Sequence, residues 1–177
     1  MLDIETLGNS TNPVLIQIGA VFFDRKTGEI GDEFCVNVDE DSCLYEGFTK
    51  DKSTVEWWAE QDQEVLKKIR SNTVEVRQAI KDFRKFCGHK MDLCVWSHAT
   101  FDFPIIQNYL KKFKEKPLRY KGARDLRTLV DLSGIDLDKY DWTTGKTHNA
   151  LDDCKFQIKY CIDAIDKLNK KNVRGMK

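Results

Sequence analysis

Proline and histidine are each used only three times in 177 residues. So little proline excludes a polyproline segment or a rigid linker. No Gly/Ser-rich stretch, internal repeat or low-complexity tract interrupts the chain, so a single domain over residues 1–177 is expected. No apolar run approaches the roughly 20 residues that a bilayer-crossing helix needs. No basic-then-apolar leader opens the sequence, and a cytoplasmic protein is expected. A surplus of charge is missing too: 29 Lys and Arg balance 29 Asp and Glu. That balance argues against a protein that coats nucleic acid electrostatically, but not against an enzyme with a local charged site. The six cysteines (Cys35, Cys43, Cys87, Cys94, Cys154 and Cys161) form no C-x-x-C pair and no Cys/His zinc spacing. They read as reduced, partly buried thiols.

What is present is an ordinary globular composition, 41% hydrophobic and 33% charged, enough for one substantial core. Leu15–Phe23 reads LIQIGAVFF and is followed by the turn Asp24-Arg25-Lys26-Thr27-Gly28. Glu29–Asp39 then alternates, with Phe34, Val36 and Val38 on one face, so the two segments predict a hairpin. Residues 40–53 read as loop. Residues 54–90 carry helical spacing through Val65, Ile69, Val76, Ile80, Phe83 and Cys87, broken near Ser71-Asn72. Leu93–Trp96 is a short strand and Phe103–Phe113 an amphipathic helix ending before Pro117. Asp125–Leu132 is a strand end leading into a short helix. Asn149–Leu168 is the clearest helix, and the basic tail Lys167–Lys177 is expected to fray, from about 170 onward. This order suggests an α/β or α+β arrangement, a mixed sheet covered by helices.

Asp3-Ile4-Glu5 sets two carboxylates at i and i+2, on one face of a strand and roughly 7 Å apart at the backbone. With only two residues ahead of Asp3, that strand is expected to be short at its start. Like charges there need a cation between them, and hard oxygen ligands suit Mg²⁺ or Mn²⁺. A solvated acidic pair is the plainer alternative. Asp102 follows a strand and opens a helix; capping that helix is its ordinary explanation. Late in the chain stands His148-Asn149-Ala150-Leu151-Asp152-Asp153. Asn149 can cap the last helix, leaving His148 on the approaching loop. A helical projection sets Leu151, Cys154, Ile158, Ile162 and Ile165 in the core stripe. Asp152 falls with Lys155, Lys159, Asp163 and Asp166 on a solvated face. Asp153 falls with Ala150, Gln157, Tyr160 and Ala164, which makes it the better ligand.

Taken in order, D-x-E, F-D after a middle strand, and H-x-x-x-x-D resemble the DEDDh branch of the DnaQ-like 3′–5′ exonuclease superfamily. The five signature positions are Asp3, Glu5, Asp102, His148 and Asp153. The stretches Asp3–Gly8, Ile18–Asp24, Trp57-Trp58, Arg124–Thr128 and His148–Asp153 are most similar to the phage and prophage type, which includes exonuclease A of T-even phages and the amino-terminal region of exonuclease VIII. The resemblance implies an RNase H-like fold with a five-stranded mixed sheet flanked by helices. It also implies two divalent ions, Mg²⁺ or Mn²⁺, held by Asp3, Glu5, Asp102 and Asp153, with His148 as general base. The expected substrate is a single-stranded 3′ end, DNA rather than RNA, and the expected product a nucleoside 5′-monophosphate.

By the same resemblance Thr6 and Leu7 contact the terminal nucleotide, with Gln17 near that pocket. Trp57 and Trp58 point about 100° apart on a helix, so they cannot both face one place; one of them, taken as Trp58, could stack on a base, and a core position for both is an equally good reading. Asp125 and Arg127 also match the subgroup, with a structural role as the alternative. The lysines of residues 111–116 read as a solvated helix end. Competing readings are a 3′–5′ exoribonuclease, a catalytically weak binding module of a replication or recombination complex, or a metal-binding domain without nuclease activity. For a phage-encoded protein the compartment would be the host cytoplasm.

Overall fold

The computed structural model describes residues 1–88, 93–140 and 148–174. Three strands form an antiparallel sheet: β1 (Leu2–Thr6), β2 (Leu15–Phe23) and β3 (Ile30–Asn37), in the order β1-β2-β3. The hairpin between β2 and β3 is closed by the Asp24 carboxylate, which accepts from the Lys26 and Thr27 amides, and by Gly28 at φ 76°. Next come four helices: α1 (Glu40–Tyr45), α2 (Lys52–Glu60), α3 (Gln63–Ile69) and α4 (Val76–Cys87). Strand β4 (Val95–Ser97) leads into α5 (Asp102–Lys112), and β5 (Ala123–Asp125) into α6 (Leu126–Ser133). The long α7 (Ala150–Arg174) closes the chain.

Alternation decides which faces are buried. Leu2 and Ile4 pair with Ala20 and Ile18, which in turn pair with Phe34 and Val36. This apolar face packs on Val76, Ile80 and Phe83 of α4 and on Ile105, Ile106 and Tyr109 of α5. The opposite face carries Asp3, Glu5, Gln17 and Gly19 and receives α7. Gly19 sets how close α7 can come: a Cβ there would fall inside the backbone of Ala150 and Leu151. The buried residues of α7 are Ala150, Cys154, Phe156, Gln157, Ile158, Tyr160, Cys161 and Ala164. Cys154 and Ile158 of the projected stripe are thus buried, whereas Leu151, Ile162 and Ile165 are half-buried. The small Ala150 and Cys154 lie against Gly19.

Among the described residues five strands are present, hydrogen-bonded as the three-stranded sheet and a parallel β4–β5 pair rather than as one continuous five-stranded ladder. Met1 and Val21 exchange both backbone bonds, at 2.7 and 3.0 Å, so the ladder's alternation turns the Ile4 amide away from β2. That amide lies on the side of the Asp102 carboxylate and favours its ionised form.

Other departures have local causes. Residues 40–53, expected as loop, contain α1 and the start of α2. Asp39 caps α1 by accepting from the Ser42 amide at 2.8 Å. The segment 54–90 breaks twice; the extra break is at Asp62, which caps α3 through the Glu64 amide. Residues 89 and 90 of that segment lie outside the described residues. The basic tail stays helical to Arg174, and Lys167 donates to the Gly134 carbonyl beyond α6; residues 175–177 lie outside the described ones. No described helix is long and apolar enough to cross a membrane.

The close approach at Gly19 generates a stability test. Gly19→Val should destabilise the protein by at least about 2–3 kcal/mol, because helix and strand must separate. A urea-unfolding midpoint unchanged from wild type would show that α7 does not rest on β2 at this position.

Candidate active site and metal centre

Three separate chain segments deliver the site. β1 presents Asp3 and Glu5 on the α7 face. The first turn of α7 presents Asp153, which is half-buried, while Asp152 beside it is exposed. Asn149 caps that turn by accepting from the Leu151 and Asp152 amides at 3.2 and 3.3 Å. His148, just ahead of it, takes a left-handed backbone at φ 48°. Asp102 opens α5 as its first residue but does not cap it. Its carboxylate accepts from the His98 amide at 2.8 Å, and the Ile4 amide favours its ionised form.

Asp3, Glu5, Asp102, His148 and Asp153 all line one cavity of about 520 Å³. Their ligand atoms fall into two adjoining groups. Those of Asp3, His98 and Asp102 lie within 4.8 Å of one another, and so do those of Glu5, His148 and Asp153. Each group could hold a metal ion. The donor set is mainly carboxylate oxygen, which fits a hard divalent cation. Gln157 orients Asp3 by donating from Nε2 at 2.7 Å, and leaves its own buried Oε1 without a partner.

The electrostatics have one origin. Burial and then the neighbouring carboxylates Asp102, Glu5 and Asp153 hold the Asp3 carboxyl well above its usual range. Burial, then Asp153 and Asp102, push Glu5 up to about 8. Asp102 is pushed up to about 7 by burial, against the two amides and the Arg127 charge that favour its ionised form. Without a cation the four carboxylates cannot all ionise side by side. His98 is pushed down to about 4 by burial and by Arg127, with Asp125 opposing, which keeps its imidazole neutral.

Other expected contacts are placed elsewhere. Thr6 is buried, and its hydroxyl donates to the Gly8 carbonyl at 2.6 Å. Leu7 is fully buried in the core. Gln17 is buried under α7, donating to Asn37 Oδ1 and accepting from the Ala150 amide at 2.7 Å. Trp58, 2% exposed, donates from Nε1 to the Thr6 carbonyl. None of the four lines the cavity. Trp57, 41% exposed, is the outward tryptophan of the pair, which reverses their assigned positions. Its ring meets His148 edge-on at 4.9 Å, with Trp58 behind at 5.9 Å. Asp125 caps α6 through Thr128 and accepts from the Ala99 amide, tying α6 to the loop after β4. Sequence reasoning missed His98 as a possible ligand; its only signal was its place between the end of β4 and Asp102. It also left Arg127, which lines the cavity, without an assigned contact.

The model of the 3′–5′ exoribonuclease Rv2179c-like domain matches residues 1–165. The chain belongs to the Rv2179c-like family. This Rv2179c-like domain is also 25% identical, over 209 aligned positions, to an exodeoxyribonuclease of Enterobacteria phage T4; the match covers 94% of this chain and 91% of the phage protein. Both findings make the chain a hydrolase of the exonuclease kind.

The raised carboxyls set a pH test. Glu5 and Asp102 ionise near 4 in the unfolded chain but only near 8 and 7 when folded. Their contribution to stability is thus fully present below pH 4 and is lost as pH rises through 7 and 8. The melting temperature of EDTA-treated protein should therefore fall between pH 5 and 8. Glu5→Gln should flatten that fall, and Mn²⁺ or Mg²⁺ should restore stability most at pH 8. A melting curve indifferent to both pH and metal would show that the carboxyls are not crowded.

Proposed function

We propose that the chain is a metal-dependent 3′–5′ exonuclease of the DEDDh, DnaQ-like type, trimming single-stranded 3′ ends to nucleoside 5′-monophosphates. The observation that carries the reading is the convergence of Asp3, Glu5, Asp102, Asp153 and His148 on one cavity from three distant segments. An RNase H-like reading of the fold is supported by the run β3-β2-β1, whose β1 edge lies against β4 of the β4-β5 pair.

Asp3, Glu5, Asp102 and Asp153 would hold two divalent ions, Mg²⁺ or Mn²⁺. When bound, such ions supply Lewis acidity for water activation and offset charge on the scissile phosphate. Gln157 keeps the Asp3 carboxylate turned toward the cavity. His148 would accept the proton of the attacking water at a ring nitrogen. Its edge-on seat against Trp57 aims the imidazole. We assign DNA as the substrate, following the name of the phage relative; the family's own name favours RNA. A cytoplasmic site of action fits either.

The deciding experiment uses 5′-labelled single-stranded DNA and RNA of matched sequence, with Mn²⁺ or Mg²⁺ and an EDTA control. A descending ladder that EDTA and Asp3→Ala both abolish is expected, and the faster strand identifies the sugar. Metal binding without cleavage of either strand would overturn the reading in favour of a binding module.

Two variants test the roles. His148→Ala should lower turnover by about 10²–10⁴-fold, as removal of a general base does, while still binding Mn²⁺ in calorimetry. Asp153→Ala should abolish cleavage, whereas Asp152→Ala should keep it within about twofold, a surface substitution being nearly neutral. Equal tolerance at 152 and 153 would refute the ligand assignment.

A further inference from the structure

Beside the carboxylate cavity lies a second chamber of about 310 Å³. The two share His98, Arg127, Leu137 and Tyr160 in their walls. Leu126, Val130 and Ile135 make the rest of the second chamber largely apolar, with Asp131 its one described carboxylate. Its size is at the lower end of the roughly 300–1,000 Å³ of ligand pockets, which suits one small unit rather than a long groove.

Arg127 is the one lysine or arginine among the described residues of either wall. It is exposed on the first turn of α6. Among the described residues nothing takes a hydrogen bond or ion pair from its guanidinium. Asp125, two residues earlier, is committed to Thr128 and Ala99, and Asp131, one turn on, does not bridge to it. A fork of five donors next to four carboxylates, yet paired with none of them, is available to an incoming anion. Planar guanidinium suits phosphate in two-bond geometry.

We propose that this chamber is the subsite for the nucleotide adjoining the scissile bond, and that Arg127 binds the phosphodiester one unit 5′ of that bond. This rests on the exonuclease reading: the carboxylates take the scissile phosphate, so the next phosphate along the strand meets the wall that the two chambers share. The apolar side chains and the Tyr160 ring then face the sugar and base. Specificity is for a strand with at least one further charged linkage, and Arg127 is a substrate-binding residue rather than a metal ligand.

The test compares single-stranded oligonucleotides that carry either a normal or a neutral methylphosphonate linkage second from the 3′ end. Binding is read by fluorescence anisotropy in Ca²⁺, and cleavage by the ladder in Mn²⁺. In wild type the neutral linkage should weaken binding about tenfold, the loss of one charge-assisted contact. Arg127→Gln should weaken binding of the normal strand by the same factor, show no further loss with methylphosphonate, and lower the salt slope of binding by about one. Arg127→Lys should recover part of the affinity. An unchanged melting temperature and unchanged Mn²⁺ calorimetry in the variants separate this from a structural effect. The proposal is overturned if Arg127→Gln binds like wild type, or if the neutral linkage costs the variant as much as it costs wild type. A ladder without that coupling sinks the subsite alone; the coupling without a ladder sinks the exonuclease reading and leaves Arg127 only as a phosphate contact of a strand-binding site.

Discussion

The site depends on the contact between the start of α7 and the middle of β2. An α-helix cannot normally lie against a strand closely enough for backbone to touch backbone, because Cβ atoms hold the two apart. Gly19 removes the obstruction on the strand, and Ala150 and Cys154 keep the helix side small. The gap is then closed by polar bonds as well as by packing. Gln17 accepts from the Ala150 amide, an otherwise unpaired donor of the helix start, and the Cys154 thiol points to the Gly19 carbonyl at 3.4 Å. One turn along, Gln157 reaches Asp3. The same approach that satisfies the helix start sets Asp153 and His148 beside Glu5.

Such a site works against the fold that holds it. Four carboxylates around one cavity raise one another's proton affinity, and burial raises it further. The opposing stabilisation comes from neutral parts: the apolar layer of α4 and α5 on one side of the sheet, and the buried residues of α7 on the other. The site's few local compensations are amide donors to Asp102 and the Gln157 amide to Asp3. These favour the ionised forms without adding charge. A cation would add attraction without any rearrangement of side chains that are already fixed, which is the sense in which the cavity is preorganised.

How much of this could be read from the sequence follows from which interactions are local. The i, i+2 spacing of Asp3 and Glu5 is a property of one strand, and the structure carries it unchanged. Asp152 and Asp153 were separable by helical angle alone, since exposure follows the turn of a single helix. The hairpin and α7 were legible for the same reason. The stripe of α7 was legible at Cys154 and Ile158 but not at Ala150, Gln157, Cys161 and Ala164, because a projection weighs hydrophobicity and cannot see the close approach at Gly19. Trp57 and Trp58 were symmetrical as a dipeptide, and only the Thr6 carbonyl, 52 residues away, decided which one turns inward. Gln17 and Thr6 looked like contacts for a substrate, yet buried backbone groups nearby had first claim on their polar atoms. Arg127 matched the subgroup without an assigned contact and His98 offered only its place before Asp102; β4, β5 and α6 had to be assembled before either faced the cavity.

Asp102 shows how a functional residue can also be a joint in the architecture. Its carboxylate accepts from the His98 amide at the end of β4, and the Ile4 amide of β1 favours its charged form, so it sits at the seam between the two groups of strands. A backbone carbonyl at that place could meet the same amides, but it would bring no ionisable oxygen to the cavity. Any cation drawn to Asp102 is thereby coupled to the seam between β1 and β4.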